Sequence, residues 1–598
     1  MHLLKIEESG ALYDSDEAVD LGQPAGDVVI LTSADTEVSL LARAAADSDI
    51  WKDQIRIANY LSLTHPYSVD LYIENTARHA KIVIIRLLGG VSYWSYGVRQ
   101  LRALAETSAV KVVFLSGDGK TDPELTYLSS VDAANSMALS AYLDAGGIDN
   151  AHGFLGKIAD LLNDSDHAPP VRPLMRAGLY WPGLIDVDFD QIRRQWQDGA
   201  PVAALVFYRA LMQAGDLAPI DCLIEALRAK GMNPLPLFGA SLKETETAAI
   251  IADFLVRADV DVILNMTSFA VSDPSKMAGA APGDDQDIMR SVGPFGAVDA
   301  PVFQLVLASN QKADWRTSTA GLTARDLAMN VALPELDGRI LTRAIGFKQP
   351  LTKDPVTHAM TTSYVAADDR AAFVADLVGR WCRLRHLPNA DKKIGFVLAN
   401  YPNKDGRIAN GVGLDTPKSV LDSLVSLQAA GYDFPDLPDS STDFIAELRK
   451  GPTNAGWHGR SCHVHLAKDI YIQFFKTLPA AMQAAISDRW GAVDDDPMFD
   501  GSGFRLPIML FGNAAIGLQP ARGYNIDPKA TFHAPDLVPP HNYFGFYIWL
   551  RDVWGMDATV HYGKHGNLEW LPGKALALSD ACYPEAVLGA MPLIYPFI

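Results

Sequence analysis

Short apolar runs that alternate with amphipathic segments are the feature that most limits what this chain can fold into. Apolar runs separated by helical stretches are typical of parallel strands joined by helical crossovers. The sequence therefore predicts an α/β protein built from several successive α/β units with mostly parallel sheets. The runs that carry this prediction are residues 27–31, 81–88, 110–115, 202–207, 234–238, 260–264 and 393–398.

The length of the chain and one polar segment divide these runs into groups. At 598 residues the chain is too long for a single hydrophobic core. The proline-rich polar segment 164–173 separates the first group from the second, and a third group begins with the run at 393. We therefore predict an N-terminal α/β domain over 1–170, a second over 171–390 and a third over 391–598.

Charge and composition exclude several classes of function. The net charge of −20, with no cluster of Lys and Arg among aromatic residues, argues against a nucleic-acid partner. No apolar run is long enough to span a membrane, and the N-terminus has no export signal, so a cytoplasmic location is expected. Four scattered cysteines without a CxxC pair predict free thiols and no structural zinc.

The segment HYGKHGNLEWLPGK, residues 561–574, carries an unusual concentration of chemically active side chains. Its glycines and prolines argue against a helix, so we expect a strand over 557–563 that opens into a loop. His565 and Glu569 would then lie on a loop beyond the carboxyl end of the strand that contains His561, where ligands bind in open α/β sheets. The three side chains predict a site for a metal ion or for proton transfer.

Two alternatives to such a site stay open from these residues alone. One histidine can be a buried structural residue beside a solvated glutamate. An unrelated metal-dependent hydrolase is the other alternative, although the spacing is not the HExxH of zinc proteases. Arg522, between Pro520 and Gly523, suits a bidentate contact with a carboxylate or a clamp on backbone carbonyls.

Two helices are predicted near these residues. The glycine-rich loop 401–415 precedes a helix for which we expect Thr416 as the N-cap. That loop fits neither GxxxxGK[ST] nor GxGxxG, so the chain shows no nucleotide-hydrolysing loop of its own. A second helix is expected over 542–554, with its aromatic residues buried in the core.

Long motifs spread over the whole chain resemble one known family. They include HPYSVDLYIE, RLLGGVSYWSYGV, VFYRALMQAGD, DLAMNVALPELDGRI, YPNKDGRIANGVGLDTP, QPARGYNIDPKATFHAPDLVPPH, VHYGKHGNLEWLPGKALALS and CYPEAVLG. On these motifs the chain resembles the family of CobN-type large subunits of aerobic cobaltochelatase and, more distantly, the H subunits of magnesium chelatase.

The resemblance implies a subunit that binds a tetrapyrrole and inserts a metal ion into it. For the cobalt branch the tetrapyrrole is hydrogenobyrinic acid a,c-diamide, the substrate ion is Co²⁺, and the product serves cobalamin biosynthesis. ATP, with Mg²⁺, is hydrolysed by separate AAA+ type ATPase subunits. Family members are longer, so the resemblance also implies that the chain is truncated within the family's chelatase core, with a separate polypeptide as a source of the rest.

The resemblance further implies roles for individual residues. Glu569 and His565 are the expected catalytic residues, and His561, His565 and Glu569 the expected metal ligands. Arg522, Lys564 and Lys574 are the expected contacts for the carboxylates of the tetrapyrrole. A magnesium chelatase H-type subunit and a tetrapyrrole-binding scaffold without catalysis remain the two alternatives.

Overall fold

The computed structural model describes residues 18–118, 120–272, 293–400, 408–409, 413–523, 536–563 and 567–596. It confirms the predicted class, because the chain is a mixed α/β protein whose larger sheets are mostly parallel. The strands of each large sheet lie within one of the three predicted ranges, so the sheets are called N-terminal, middle and C-terminal below.

The N-terminal sheet has four parallel strands in the order β2-β1-β3-β4. Three of them match predicted runs to within a residue, but β2 was missed because its run contains Arg56. That arginine is buried, and its guanidinium is satisfied by backbone carbonyls, including those of Pro24 and Ala25. The strands are β1 Val28–Thr32, β2 Ile55–Asn59, β3 Ile82–Leu87 and β4 Lys111–Ser116. The helices are Asp35–Ala46, Pro66–Asn75, Ser95–Thr107, Pro123–Leu128, Ala133–Ala145 and Ile148–Asn163.

The middle sheet has seven strands in the order β13-β10-β9-β8-β6-β7-β5, with antiparallel strands at its two edges. The hairpin β11–β12 extends toward the N-terminal sheet, where Ile57 N donates to Thr357 O at 3.2 Å. The strands of the middle sheet are β5 Ala177–Leu179, β6 Val202–Tyr208, β7 Asn233–Gly239, β8 Val262–Asn265, β9 Val302–Gln311, β10 Ile340–Lys348 and β13 Tyr364–Ala366. The strands of the hairpin are β11 Thr352–Lys353 and β12 Met360–Thr361. The helices are Phe189–Arg193, Arg209–Ala214, Ala218–Ala229, Thr245–Arg257, Lys312–Thr317, Ala324–Leu327, Leu333–Glu335 and Asp368–His386.

The C-terminal sheet has the order β17-β18-β14-β19-β20, in which β18, β14 and β19 are parallel neighbours. A separate antiparallel pair, β15–β16, lies beside it. The strands are β14 Ile394–Leu398, β15 His465–Ala467, β16 Gly503–Arg505, β17 Ile508–Phe511, β18 Ala514–Leu518, β19 Ala558–Tyr562 and β20 Leu593–Ile594. The helices are Thr416–Ala429, Ser441–Lys450, Lys468–Phe475, Ala480–Trp490, His541–Ile548 and Tyr583–Leu588.

Two predicted helices of this region have different outcomes. The prediction of Thr416 as an N-cap is wrong by one residue, because the Asp415 carboxyl accepts the capping bond from Lys418 N and Thr416 is already helical. The aromatic helix is confirmed as His541–Ile548, in which every residue is buried, and it continues as a π-helical turn to Val553. The helices of the described residues include none that combines the length and apolar character of a membrane span.

Residues 574–585 of the C-terminal part dock on the middle part through polar contacts. Trp315 Nε1 donates to Ala577 O at 2.9 Å, and Ala575 N donates to Thr319 O at 2.8 Å. At the far end of this segment Glu585 is buried between two arginines of the middle part, Arg343 and Arg370. The middle and C-terminal parts therefore share a polar interface, which we call the docking segment contact.

Candidate functional site

The carboxyl ends of β14, β18 and β19 form one edge of the C-terminal sheet. Leu398 at the end of β14 is in register with Leu518 of β18 and Tyr562 of β19. The connection from β14 to β18 contains helix Thr416–Ala429 on one face, whereas the connection from β18 to β19 contains helix His541–Ile548 on the other. A sheet whose crossovers change face in this way leaves a crevice at the carboxyl ends of its strands, where ligands bind.

His561 occupies the floor of this crevice. It lies in β19 opposite Val397, so its side chain faces helix His541–Ile548, and it is buried. Its Nε2 is 3.4 Å from the hydroxyl of Tyr547 on that helix. Burial lowers the pKa of His561 from its usual value near 6.5 to about 4. The imidazole is therefore neutral at physiological pH, the form in which histidine binds metal ions and accepts hydrogen bonds.

A hydrogen-bonded network of uncharged side chains surrounds His561. Gln519, just after β18, donates from Nε2 to the Tyr547 hydroxyl at 3.0 Å and accepts from Asn567 N at 3.1 Å. The Tyr543 hydroxyl donates to Asn567 Oδ1. Burial raises the pKa of Tyr543 and of Tyr547, so both hydroxyls stay protonated. The network holds Asn567, two residues before Glu569, against the end of β18.

Glu569 lies at the exposed mouth of the crevice. It is in the single 3₁₀ turn Leu568–Trp570, which is anchored by the buried side chain of Leu568. The Tyr595 hydroxyl donates to Glu569 Oε1 at 3.3 Å, and the Tyr595 ring meets the His561 ring edge-on with centroids 5.8 Å apart. Glu569 and His561 are therefore on either side of one tyrosine, near the carboxyl end of β19.

Arg522 contributes a cation to the same cluster. It is buried, and burial lowers the pKa of its guanidinium, whereas Tyr543, Glu569 and Asp536 act in the opposite direction. Arg522 is thus within electrostatic range of both Glu569 and Tyr543. A buried guanidinium in a crevice is suited to a carboxylate ligand, because the two form short, charge-assisted hydrogen bonds.

The other predicted site residues are Lys574, Lys564 and His565. Lys574 is in the docking segment contact, where its Nζ donates to the carbonyls of Arg316 at 2.9 Å and Ser318 at 2.7 Å. Lys564 and His565 lie outside the described residues. Within the described ranges, no group of three or more His, Cys, Asp or Glu side chains is placed to hold a metal ion. The predicted ligand set, which needs His565, stays a prediction.

The tyrosine and amide groups of the site were not predicted from the sequence. Tyr543 and Tyr547 were expected only as buried aromatic residues, but their hydroxyls point into the crevice network. Tyr rather than Phe at these buried positions is the signal that was available, because a buried hydroxyl needs a partner. Gln519 and Tyr595 offered no comparable signal, since their contacts join distant parts of the chain.

The buried imidazole of His561 predicts a specific dependence of stability on pH. Its pKa is lower in the folded chain than in the unfolded one, so the unfolded chain binds more protons between about pH 6.5 and pH 4. We expect stability to fall as the pH is lowered through this range, by at most about 3 kcal/mol for this group. Urea unfolding of the wild type and His561→Gln between pH 4 and 7.5 measures the difference. Parallel stability curves for the two proteins would contradict the buried neutral imidazole.

The crevice, its neutral imidazole and its exposed carboxyl group together define an α/β protein with a candidate ligand site at the carboxyl ends of parallel strands. Comparison with known proteins identifies the family. The family model described as CobN/Magnesium Chelatase matches residues 140–598. The chain therefore belongs to the CobN/magnesium chelatase family.

Individual relatives are similar over all or most of the chain. It is 44% identical to the aerobic cobaltochelatase subunit CobN of Sinorhizobium sp., covering 100% of this chain and 46% of the relative. It is 43% identical to the same subunit of Pseudomonas aeruginosa, covering 100% of this chain and 47% of that protein. The magnesium chelatase H protein of Rhodobacter capsulatus is 28% identical over 70% of this chain and 35% of its own length.

A solved structure agrees with these sequence relatives. The catalytic subunit of cobaltochelatase from Mycobacterium tuberculosis matches with a TM-score of 0.77 and 31% identity, covering 96% of this chain and 46% of that one. The chain thus spans about half the length of the cobaltochelatase relatives that it matches.

Proposed function

We propose that this chain takes part in a cobaltochelatase by binding a tetrapyrrole at the carboxyl-edge crevice, where Co²⁺ is inserted as the substrate ion. The proposed tetrapyrrole is hydrogenobyrinic acid a,c-diamide, in the aerobic cytoplasmic route to cobalamin. The observation that carries the proposal is the cluster of His561, Glu569 and Arg522 around two buried tyrosines at this edge. The name cobaltochelatase on relatives with 43% and 44% identity supports cobalt over magnesium.

Each residue of the cluster suits one requirement of metal insertion. Metal insertion displaces inner N–H hydrogen from the ring as a proton, and the exposed carboxyl of Glu569 is suited to accept that proton from a ring at the mouth of the crevice. Neutral imidazole is a good ligand for a Co²⁺ ion that has lost part of its water, and His561 and His565 are proposed for that role with Glu569. Lys564 and Lys574 remain proposed contacts for carboxylates of the ring.

Energy for the reaction is proposed to come from partner subunits. The chain has neither of the two glycine-rich sequence patterns that bind nucleotide phosphates. AAA+ type ATPase subunits that hydrolyse ATP with Mg²⁺ are therefore the proposed partners. A direct test mixes the purified chain, such ATPase subunits, ATP, Co²⁺ and the a,c-diamide, and follows the absorbance change on cobalt insertion. Absence of any tetrapyrrole binding by the chain would refute the proposal.

A scaffold that binds the tetrapyrrole without catalysis is the second candidate. The chain spans about half the length of the cobaltochelatase relatives that it matches, so binding and insertion are tested separately. An absorbance shift on titration with the a,c-diamide, but no cobalt insertion with ATPase subunits present, would support this second function. Insertion restored by a polypeptide that corresponds to the rest of the relatives would favour the first.

Arg522 provides a test of where the ring carboxylates bind. We expect Arg522→Gln to raise the Kd for the a,c-diamide about tenfold, because a charge-assisted hydrogen bond to a carboxylate is lost. The measurement is an absorbance titration, with circular dichroism to check the fold. Lys418→Gln, which changes an exposed cation on the same part of the chain, is the matched control and is expected to leave the Kd unchanged. Equal affinities for Arg522→Gln and wild type would remove Arg522 from the binding site.

A further inference from the structure

Asn400 is a buried amide that the proposed function does not use. It comes two residues after β14, and only 4% of its surface is exposed. Neither its Nδ2 nor its Oδ1 has a hydrogen-bond partner in the part of the chain that the structure describes. A buried amide with both groups unsatisfied is destabilising, so its presence indicates a ligand or a water that is bound by the working protein.

The position of Asn400 places it at the same carboxyl edge as the candidate site. Strand-like pairing continues past β14, because Ala399 N donates to Tyr562 O at 2.8 Å. By strand alternation Asn400 is on the face of Phe396 and Leu398, which is the face covered by helix Thr416–Ala429. The crevice therefore has polar groups on both faces of the sheet, with His561 on one and Asn400 on the other.

Thr416 supplies a second unsatisfied group on that face. It begins the helix that covers Phe396 and Leu398, it is fully buried, and its Oγ1 also lacks a partner among the described residues. The adjacent N-cap is the carboxyl group of Asp415, which already accepts from Lys418 N. This end of the helix presents a hydroxyl beside a carboxyl group on the same face of the sheet as Asn400, and the negative charge of the carboxyl group disfavours an anion there.

The unsatisfied groups define the chemistry of the ligand. Asn400 offers a donor N–H₂ group and an acceptor oxygen from the same planar amide, and a carboxylate would satisfy only the donor group while facing Oδ1 with negative charge. A primary carboxamide has a carbonyl and an N–H₂ group, so it pairs with both in two parallel hydrogen bonds. The hydroxyl of Thr416 can take the remaining N–H of that carboxamide.

From this geometry we infer that Asn400 and Thr416 form a subsite for a primary carboxamide on the periphery of the tetrapyrrole. The inference rests on the proposed function, and it adds a basis for selecting a ring with carboxamide groups over a ring with only carboxylates. A site built to hydrogen-bond one group rejects an analogue that leaves its buried polar atoms unpaired.

The test compares two tetrapyrroles and two variants in absorbance titrations of the full chain. The wild type is expected to bind hydrogenobyrinic acid a,c-diamide about tenfold more tightly than hydrogenobyrinic acid, which has carboxylates at both positions. Asn400→Ala is expected to lose this preference, with the Kd for the a,c-diamide about tenfold higher and the Kd for the acid nearly unchanged. Thr416→Val, which keeps the side-chain shape, should likewise weaken binding of the a,c-diamide and leave binding of the acid nearly unchanged.

Thermal unfolding separates this subsite from a structural role. Because the Asn400 amide makes no hydrogen bond to any described residue of the folded chain, Asn400→Ala is expected to keep or raise the Tm. Asn163→Ala, at an exposed position of the N-terminal part, is the matched control for an asparagine substitution.

Three results would overturn the inference. Equal wild-type affinities for the two tetrapyrroles, unchanged in Asn400→Ala, would remove the subsite and leave the proposed function intact. A lower Tm for Asn400→Ala with equal weakening of both ligands would identify a buried structural water instead. Binding of neither tetrapyrrole by the wild type would refute the proposed function, and the subsite with it.

Discussion

Replacing Glu569 by glutamine is expected to lower cobalt insertion by the assembled chelatase at least about a hundredfold, the usual effect of losing a general acid or base. Glutamine keeps the shape and the contact with the Tyr595 hydroxyl, but it cannot accept a proton from the ring or bind Co²⁺ as a carboxylate does. Tetrapyrrole affinity should change by less than about threefold, because the ring carboxylates are assigned to cations elsewhere. The measurement pairs the rate of cobalt insertion with an absorbance titration of the same variant.

A second exposed glutamate makes the comparison specific. Glu447 lies on helix Ser441–Lys450, where it pairs with Lys450, and Glu447→Gln is expected to leave insertion unchanged. Both substitutions remove one charge from the surface of the same part of the chain, so a general electrostatic effect would appear in both. Insertion by Glu569→Gln at half the wild-type rate or more would rule out the proton-transfer role.

Much of the fold follows from the apolar runs, because a buried parallel strand needs nearly continuous apolar residues. β1, β3, β4, β6 and β14 were predicted to within about a residue on this basis. Strands with polar residues were missed where long-range contacts satisfy those residues. Arg56 in β2 is one case, and Gln304 in β9, buried and bonded to Asn265 and Thr267, is another. The sequence does not show which partner will satisfy such a group.

The candidate site was predictable in part for the same reason. His561, Glu569 and Arg522 stood out because charged or titratable groups among glycine and proline residues are rarely needed for packing alone. Their common neighbours are Tyr543 and Tyr547, which lie one turn apart on a single helix, and Tyr595, which lies much later in the sequence and is brought to them only by the fold. Lys574 was predicted from its place in the motif, but the structure shows its ammonium bonded to two carbonyls of the middle part.

The largest effect on stability is expected from Glu585→Gln in the docking segment contact. Glu585 accepts from Arg343 Nε at 2.8 Å and from Arg370 Nη1 at 2.6 Å, and all three side chains are almost completely buried. Removing its charge leaves two buried guanidinium groups without their shared carboxylate, which typically costs about 3–5 kcal/mol. The free energy of unfolding in urea measures the loss.

An exposed ion pair provides the matched control for the stability measurement. Asp422→Asn breaks the pair with Lys418, in which 61% of each side chain is exposed, and should change stability by less than about 1 kcal/mol. A loss that small for Glu585→Gln would contradict the buried triad.

The docked residues 574–585 join the turn of Glu569 to Tyr595, so loosening them should displace both residues from the crevice. Glu585→Gln should therefore weaken tetrapyrrole binding and stability together, whereas Glu569→Gln should lower insertion while both stay near the wild-type values.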